Sequence, residues 1–331
     1  MTLRRSAAEA AARAALLALL PVGAALSPLA AWREARAKAA HPPEGRLVDV
    51  GGVPVHAVVR GTGPDLVLIH GASGNARDWT MDFADKVDRR FRVIAFDRPG
   101  LGHTGHVDPS HGRAVGTRAA SPAEQAALLA AAAARLGARK PIVLGHSYGG
   151  AVALAWALDH PCAAAVILSG VSHPWKGGLG PLPELNGSRL GGAALVPVLA
   201  AATPRRAVAA AVRGVFAPDP VPENYAVRLR AALTLRRASL RANARQLRTL
   251  KPHMIAMAPR YGGLTVPVEI VHGTADTIVP PSVHAEPLAR AAPGSRLTML
   301  PGIGHMPHHA APDAVAAAID RAAARAGLAA A

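Results

Sequence analysis

Gly145-His146-Ser147-Tyr148-Gly149 is the stretch on which the reading of this chain turns. It is the only G-x-S-x-G among 331 residues. It follows the apolar run Ile142-Val143-Leu144 and opens the segment Gly149-Gly150-Ala151-Val152-Ala153-Leu154. A sharp strand-to-helix turn forces such a serine into a strained backbone conformation and lifts its hydroxyl to the carboxyl end of a sheet. Small residues two before and two after it keep the turn free of clashes, and the helix N-terminus nearby favours negative charge. The competing reading is a glycine-rich turn with an incidental serine, and the apolar strand and Ala-rich helix on either side argue against it.

Outward from this turn the pattern is regular. Arg46–Val50 and Val53–Val59 alternate around Gly51-Gly52 and predict a hairpin. Leu66–Ile69, Val93–Phe96, Ile142–Leu144, Ala165–Leu168, Val268–Val271 and Leu297–Leu300 are short apolar runs of the kind buried on both faces of a parallel sheet. Helical segments fall between them: one from the Ser121-Pro122-Ala123-Glu124 start signal to Leu136, then Tyr148–Asp159, Pro287–Ala291 and Ala314–Ala324. This alternation predicts an α/β fold with a mostly parallel sheet wrapped by helices. From about Ser172 to Gly263 no strand pattern appears, only Gly/Pro-rich loops and Ala/Arg/Leu helices, which reads as a helical cap inserted between two sheet strands. The expected organisation is an N-terminal segment 1–40, a first core part 41–171, the cap 172–263 and a second core part 264–331.

A serine hydroxyl needs a base, and the base an orienting acid. His305 lies on the glycine-rich loop Pro301-Gly302-Ile303-Gly304 just past the last strand run, and Asp276 lies just past the preceding one. The order Ser147, Asp276, His305 is the chain order of a nucleophile-elbow hydrolase. The other acid position, after Leu168, is empty, because Ser169–Lys176 contains no carboxylate.

These motifs, with Asp97-Arg98-Pro99-Gly100-Leu101-Gly102, resemble the α/β-hydrolase superfamily. The likeness is to the branch with G-H-S-x-G-G elbows that includes carboxylesterases and cofactor-free haloperoxidase-like enzymes. It covers roughly residues 45–171 and 264–325. The resemblance implies that His70-Gly71-Ala72-Ser73-Gly74 is the oxyanion loop, with the backbone N–H groups of Ala72 and Tyr148 as donors. Ser73 would either add a hydroxyl contact or stabilise the loop. The implied activity is hydrolysis of a carboxylic ester on a small or lipid-like acyl substrate, without cofactor. The same residues also suit a thioesterase, a lactonase or haloperoxidase-like chemistry, or a non-catalytic binding protein on this scaffold. Haloalkane dehalogenase and epoxide hydrolase relatives use an aspartate where this chain has Ser147.

Other residues bear on partners. His305, His308 and His309 have a spacing that can ligate zinc on a helix, but this segment reads as loop as far as Pro307 and His305 already has a role, so no metal is expected. His146 is expected to pack under the nucleophile, and His103, His106 and His111 to line a loop. The single cysteine, Cys162, excludes an intrachain disulfide and reads as a buried hydrophobe. The net charge of +16 raises the question of nucleic acid, yet no RNP, zinc-finger or basic-zipper pattern occurs, and aromatics are only 3% of residues. The charge is concentrated in residues 172–262, where fourteen Lys and Arg face three acids. Arg237, Arg241, Arg245 and Arg248 fall on one helix face. That face is expected to be either solvated or an attractor of anionic lipid or carrier.

Ala14–Trp32 is uncharged and follows Arg4, Arg5 and Arg13. As a helix it would span about 28 Å, close to the ~30 Å hydrocarbon core of a bilayer. Pro21 and Pro28 interrupt it. It reads as a membrane anchor and an address separate from the fold, with a cleaved export signal or an amphipathic arm packed on the protein as alternatives. Membrane association through residues 14–32 and the basic cap is therefore expected.

Overall fold

The computed structural model describes residues 2–328, with side chains from residue 14 onward. Eight strands form one sheet in the order β1-β2-β4-β3-β5-β6-β7-β8. They are β1 (Arg46–Val50), β2 (Val53–Arg60), β3 (Asp65–Ile69), β4 (Arg92–Phe96), β5 (Ile142–His146), β6 (Ala164–Leu168), β7 (Val268–Gly273) and β8 (Arg296–Leu300). β1 pairs antiparallel with β2, and β2 antiparallel with β4; every later pairing is parallel. Each apolar run expected to be a strand is one, because β-branched residues with no polar alternation are stable only when covered on both faces. The chain forms an α/β-hydrolase fold.

The helices are α1 (Thr2–Ala40), α2 (Arg77–Thr80), α3 (Pro122–Arg135), α4 (Tyr148–Asp159), α5 (Pro181–Gly187), α6 (Arg189–Ala202), α7 (Arg205–Phe216), α8 (Tyr225–Arg228), α9 (Ala231–Thr234), α10 (Arg237–Met257), α11 (Ala285–Ala291), α12 (Pro307–Ala310) and α13 (Pro312–Arg325). α3 starts on a full capping box, in which Ser121 and Glu124 satisfy each other's backbone N–H groups. α3, α4 and α11 cover one face of the sheet, and α13 with Trp79 and Phe83 covers the other. Aromatics being few, Val, Leu, Ile and Ala fill both layers. Glu269 of β7 is fully buried, and Arg321 and Arg325 of α13 neutralise it at 3.1 and 2.7 Å.

α5 to α10 form the insertion between β6 and β7. The structure corrects the expected arginine face on α10. Arg237 clamps Glu34, Arg241 donates to the Gly192 carbonyl, Arg245 donates to the His111 and Ala114 carbonyls, and Arg248 pairs with Glu184. Arg241 and Arg245 are buried. Their guanidinium groups bind loop and helix carbonyls, a packing role in place of a solvated or steering surface.

A second correction concerns the N-terminus. α1 runs unbroken through Pro21 and Pro28, and Ser27 donates to the Gly23 carbonyl in that stretch. It is not separate from the fold either. Its second half lies against α6, where Ala30 is buried with Ala200 and Ala201, and Gly23 abuts the Ala194 carbonyl. Arg33 donates to the carbonyls of Ala201 and Thr203, and Glu34 takes both the backbone and the guanidinium of Arg237. Yet only 17% of its most apolar stretch is buried, and Leu17, Val22, Leu29 and Trp32 stay exposed. One helix thus docks on the cap and presents an apolar surface outward.

Two expectations follow from this packing. A Cβ at Gly23 would come within 2.6 Å of the Ala194 carbonyl oxygen. Gly23→Val should therefore lift α1 off α6, lower stability by about 1–3 kcal/mol and open the 41–45 linker to limited proteolysis. Unchanged melting and cleavage would show that the two helices are not packed closely.

The second concerns acid. Burial pushes His70, His284 and His308 down to about 4. His70 Nε2 accepts the Arg98 N–H at 2.9 Å, and His284 Nδ1 accepts from Ser172 at 3.3 Å, bonds that require an unprotonated nitrogen. The unfolded chain takes up these protons below its ordinary value near 6.5, whereas the fold resists until about 4. Their stabilisation is complete above that ordinary value and is lost progressively down to the folded one. Tm read by circular dichroism should fall steadily as pH drops from 7 to below 5; a flat Tm over that range would contradict neutral buried histidines.

Candidate active site

Ser147 sits between β5 and α4 with φ +54° and ψ −119°, a region an L-residue occupies only when its surroundings impose it. Two glycines make the turn feasible. A Cβ on Gly145 would strike the Gly149 carbonyl, and one on Gly149 would strike the Ile69 carbonyl. The Ser147 N–H donates to the Leu168 carbonyl at 3.0 Å, and its own carbonyl accepts from Gly150 and Val171, each at 3.0 Å. β6, the loop after it and α4 thus pin the serine backbone.

The loops after β7 and β8 bring the other two residues to it. His305 Nε2 lies 3.0 Å from Ser147 Oγ, and His305 Nδ1 lies 2.8 Å from Asp276 Oδ2. Asp276 Oδ1 accepts the Ile278 and Val279 amides at 2.9 Å each, and His272 stands 3.2 Å from Oδ2. Burial alone would raise the Asp276 carboxyl, but His272, His305 and the Val279 amide outweigh it and hold the group below the usual carboxylate range. An ionised Asp276 fixes the His305 tautomer with Nδ1–H toward the carboxylate and a lone pair toward Ser147. All three residues are buried, Ser147 retaining 8% exposure.

The loop after β3 lies beside the serine. A Cβ at Gly71 would come within 3.0 Å of both Ser147 Cβ and His146 Nδ1, so Ala72 follows directly on the closest approach. Tyr148 is the first residue of α4, and its N–H has no partner inside the helix. Arg98 braces both segments. Its guanidinium donates to the Gly71 carbonyl at 3.2 Å, lies 4.1 Å from the Tyr148 ring centre, and is held by Gln125 and Gln246 at 3.0 Å. Burial lowers Arg98 to about 10, which leaves it charged near neutrality. Ser73 takes the loop role: Asn243 and Thr234 of the cap bind its N–H, hydroxyl and carbonyl.

Behind His305 is a histidine stack that the sequence did not reveal. His146 Nε2 donates to the His305 carbonyl at 2.8 Å, and its ring centre is 4.9 Å from that of His305 and 4.7 Å from that of His308. His309 and Tyr225 reach the same Asp78 oxygen at 3.0 and 2.7 Å. His305 is engaged by Ser147 and Asp276 through both ring nitrogens. Asp78, His308 and His309 do bring ligand atoms within 4.8 Å of one another, the arrangement nearest to a metal site among the described residues. His309 Nε2 is 3.0 Å from Asp78 Oδ1 and His308 Nε2 is 3.4 Å from Oδ2; burial would raise the Asp78 carboxyl, but the two histidines hold it well below the ordinary range. Helix α12 juxtaposes the pair, and the partner, on α2, lies over two hundred positions away in sequence. His103 and His106 are half-buried and His111 is buried on the loop after β4. Cys162 is buried, and burial raises its thiol to about 11.

Comparisons with known proteins agree with this architecture. An uncharacterized protein of Mycobacterium tuberculosis is 29% identical over 265 residues, covering 76% of this chain and 72% of its own length. Pimeloyl-[acyl-carrier protein] methyl ester esterase of Vibrio vulnificus is 32% identical over 130 residues, 37% of this chain and 45% of the relative. Among solved structures, a bacterial membrane phospholipase A superposes with a TM-score of 0.64 at 20% identity and covers 99% of both chains, a likeness of fold. The profile described as the alpha/beta hydrolase family matches residues 66–318, from β3 into α13, and so takes in the serine turn and both loops that reach it. The chain belongs to the alpha/beta hydrolase family.

Proposed function

We propose that this chain hydrolyses a carboxylic ester of a small or lipid-like acyl substrate through an acyl-enzyme on Ser147. The observation that carries the reading is the unbroken line from Ser147 Oγ through the His305 ring to Asp276. In this mechanism His305 Nε2 takes the Ser147 proton as Oγ attacks the carbonyl carbon. The N–H groups of Ala72 and Tyr148 receive the oxyanion; losing one such donor typically costs about 2.7–4 kcal/mol. Collapse of the tetrahedral intermediate breaks the ester C–O bond, and the proton on Nε2 passes to the leaving alkoxide. Water then gives a proton to His305 and attacks the acyl carbon, and a second collapse returns the proton to Ser147 and releases the acid. A thioester or lactone fits the same line; the methyl ester esterase named among the relatives favours the ester.

We further propose that the outward apolar surface of α1 is a membrane anchor. The support is a helix long and apolar enough to cross a bilayer and mostly uncovered by protein. A helix that also docks on α6 would hold the cap at the membrane surface.

Ser147→Ala should lower kcat on p-nitrophenyl butyrate by several orders of magnitude, and His305→Ala by a similar factor, with the double variant scarcely worse, because the pair acts as a unit. Asp276→Asn should keep the fold and lose about 10⁴-fold by presenting the wrong tautomer of His305, whereas Asp159→Asn should leave turnover unchanged. Near-normal turnover by Ser147→Ala would overturn the mechanism. Full-length protein should sediment with membranes and resist a high-salt wash; recovery of the intact chain in the supernatant would refute the anchor.

A further inference from the structure

A cavity of about 840 Å³ lies away from the serine. It opens between the end of α1 and the helices α7, α8 and α9 of the cap. Neither Ser147, His305 and Asp276 nor Ala72 lines it. Its volume lies in the ~300–1,000 Å³ range of sites that take a small organic ligand. The walls are largely apolar, with Val208, Ala209, Val212, Val221 and Leu235 among them. No carboxylate lines it, whereas Arg33, Arg36, Arg205, Arg213 and Arg230 do.

Two of these arginines have work elsewhere. Arg33 donates to the Ala201 and Thr203 carbonyls, and Arg230 pairs with Glu44. Arg36 rests over the Trp32 ring at 5.4 Å, and among the described residues neither it, Arg205 nor Arg213 has a carboxylate partner. All three are exposed, so they stand at the mouth while the aliphatic side chains stand within. Chain and charge are segregated here as they are in an amphiphile, with the sign opposite to an anionic head. The cavity also adjoins the exposed apolar surface of α1, from Leu17 to Trp32, where such a molecule would arrive.

We propose that this cavity binds a single-chain anionic amphiphile, with the alkyl chain between α7 and α9 and a carboxylate or phosphate head on Arg36, Arg205 and Arg213. The site goes beyond the ester-hydrolase reading and does not depend on it. Guanidinium groups suit it because they stay charged and pair with both carboxylate and phosphate through paired N–H donors. A neutral or cationic head would leave the arginines unanswered.

Trp32 lines the cavity and reports on it, whereas Trp79 and Trp156 are fully buried elsewhere. The test is contact quenching of tryptophan fluorescence in the full chain, in nonionic detergent at pH 8, by 11-bromoundecanoate and by its neutral counterpart 11-bromoundecanol. Trp32→Phe identifies the reporter. The acid should quench at a concentration about tenfold lower than the alcohol, the size of one charge-assisted contact. The combined Arg36→Gln/Arg205→Gln/Arg213→Gln variant should remove that preference, and Ala209→Phe, which narrows the apolar part of the cavity, should weaken quenching by both. Tm of each variant serves as the control for folding. A brominated lysophosphatidylglycerol run in parallel distinguishes a free acid from a membrane lipid, and charge-dependent quenching by either supports the site. Equal quenching by acid and alcohol in the full chain, or quenching by both left unchanged in Ala209→Phe, overturns it.

Discussion

The backbone of Ser147 is the constraint from which the rest of the site follows. A φ of +54° with ψ −119° is costly for a residue with a Cβ, by about 1–3 kcal/mol. It persists because Leu168 of β6, Val171 in the loop after β6 and Gly150 of α4 hold the serine N–H and carbonyl in three backbone hydrogen bonds. The same turn sets the start of α4, which leaves the Tyr148 N–H pointing out of the helix beginning, and requires a bare backbone at Gly145 and Gly149. The loop after β3 approaches so closely that a Cβ at Gly71 would crowd Ser147 Cβ and His146 Nδ1 at 3.0 Å. The serine, the loop after β3 and the start of α4 are therefore one rigid object, and only His305 and Asp276 have to be delivered to it.

That delivery involves the cap as well as the sheet. Asp219 of the cap accepts the Gly304 N–H at 2.7 Å, one residue before His305. Asn243 and Thr234 bind Ser73, and Asn75 donates to the Leu229 carbonyl at 2.8 Å, so the cap also fixes the loop bearing Ala72. Gln246 of α10 holds Arg98 beneath both. The cap is in turn tied to α1 through Glu34 and Arg237.

Much of this was legible in the residues. Short apolar runs located the strands, the Ser121/Glu124 pair located the start of α3, and chain order with an empty position after Leu168 pointed to Asp276, which the fold places beside His305. What remained hidden depends on contacts distant in sequence. Helical spacing put Arg237, Arg241, Arg245 and Arg248 on one face, but periodicity does not say whether a face meets water or loop carbonyls; here most of it meets carbonyls and Glu34. The prolines of α1 suggested interruption, yet a helix already supported along α6 tolerates the lost bonds. The histidine stack behind His305 needed Asp78, which no spacing rule connects to His308 and His309.

The central claim is that Ser147 is the nucleophile and that its reactivity comes from His305. The most direct measurement is mass spectrometry of the full chain after reaction with a fluorophosphonate. The account predicts one adduct per chain, on the peptide containing Ser147, and its disappearance in His305→Ala on the same timescale. An adduct on another residue, or undiminished labelling of Ser147 without His305, would contradict it.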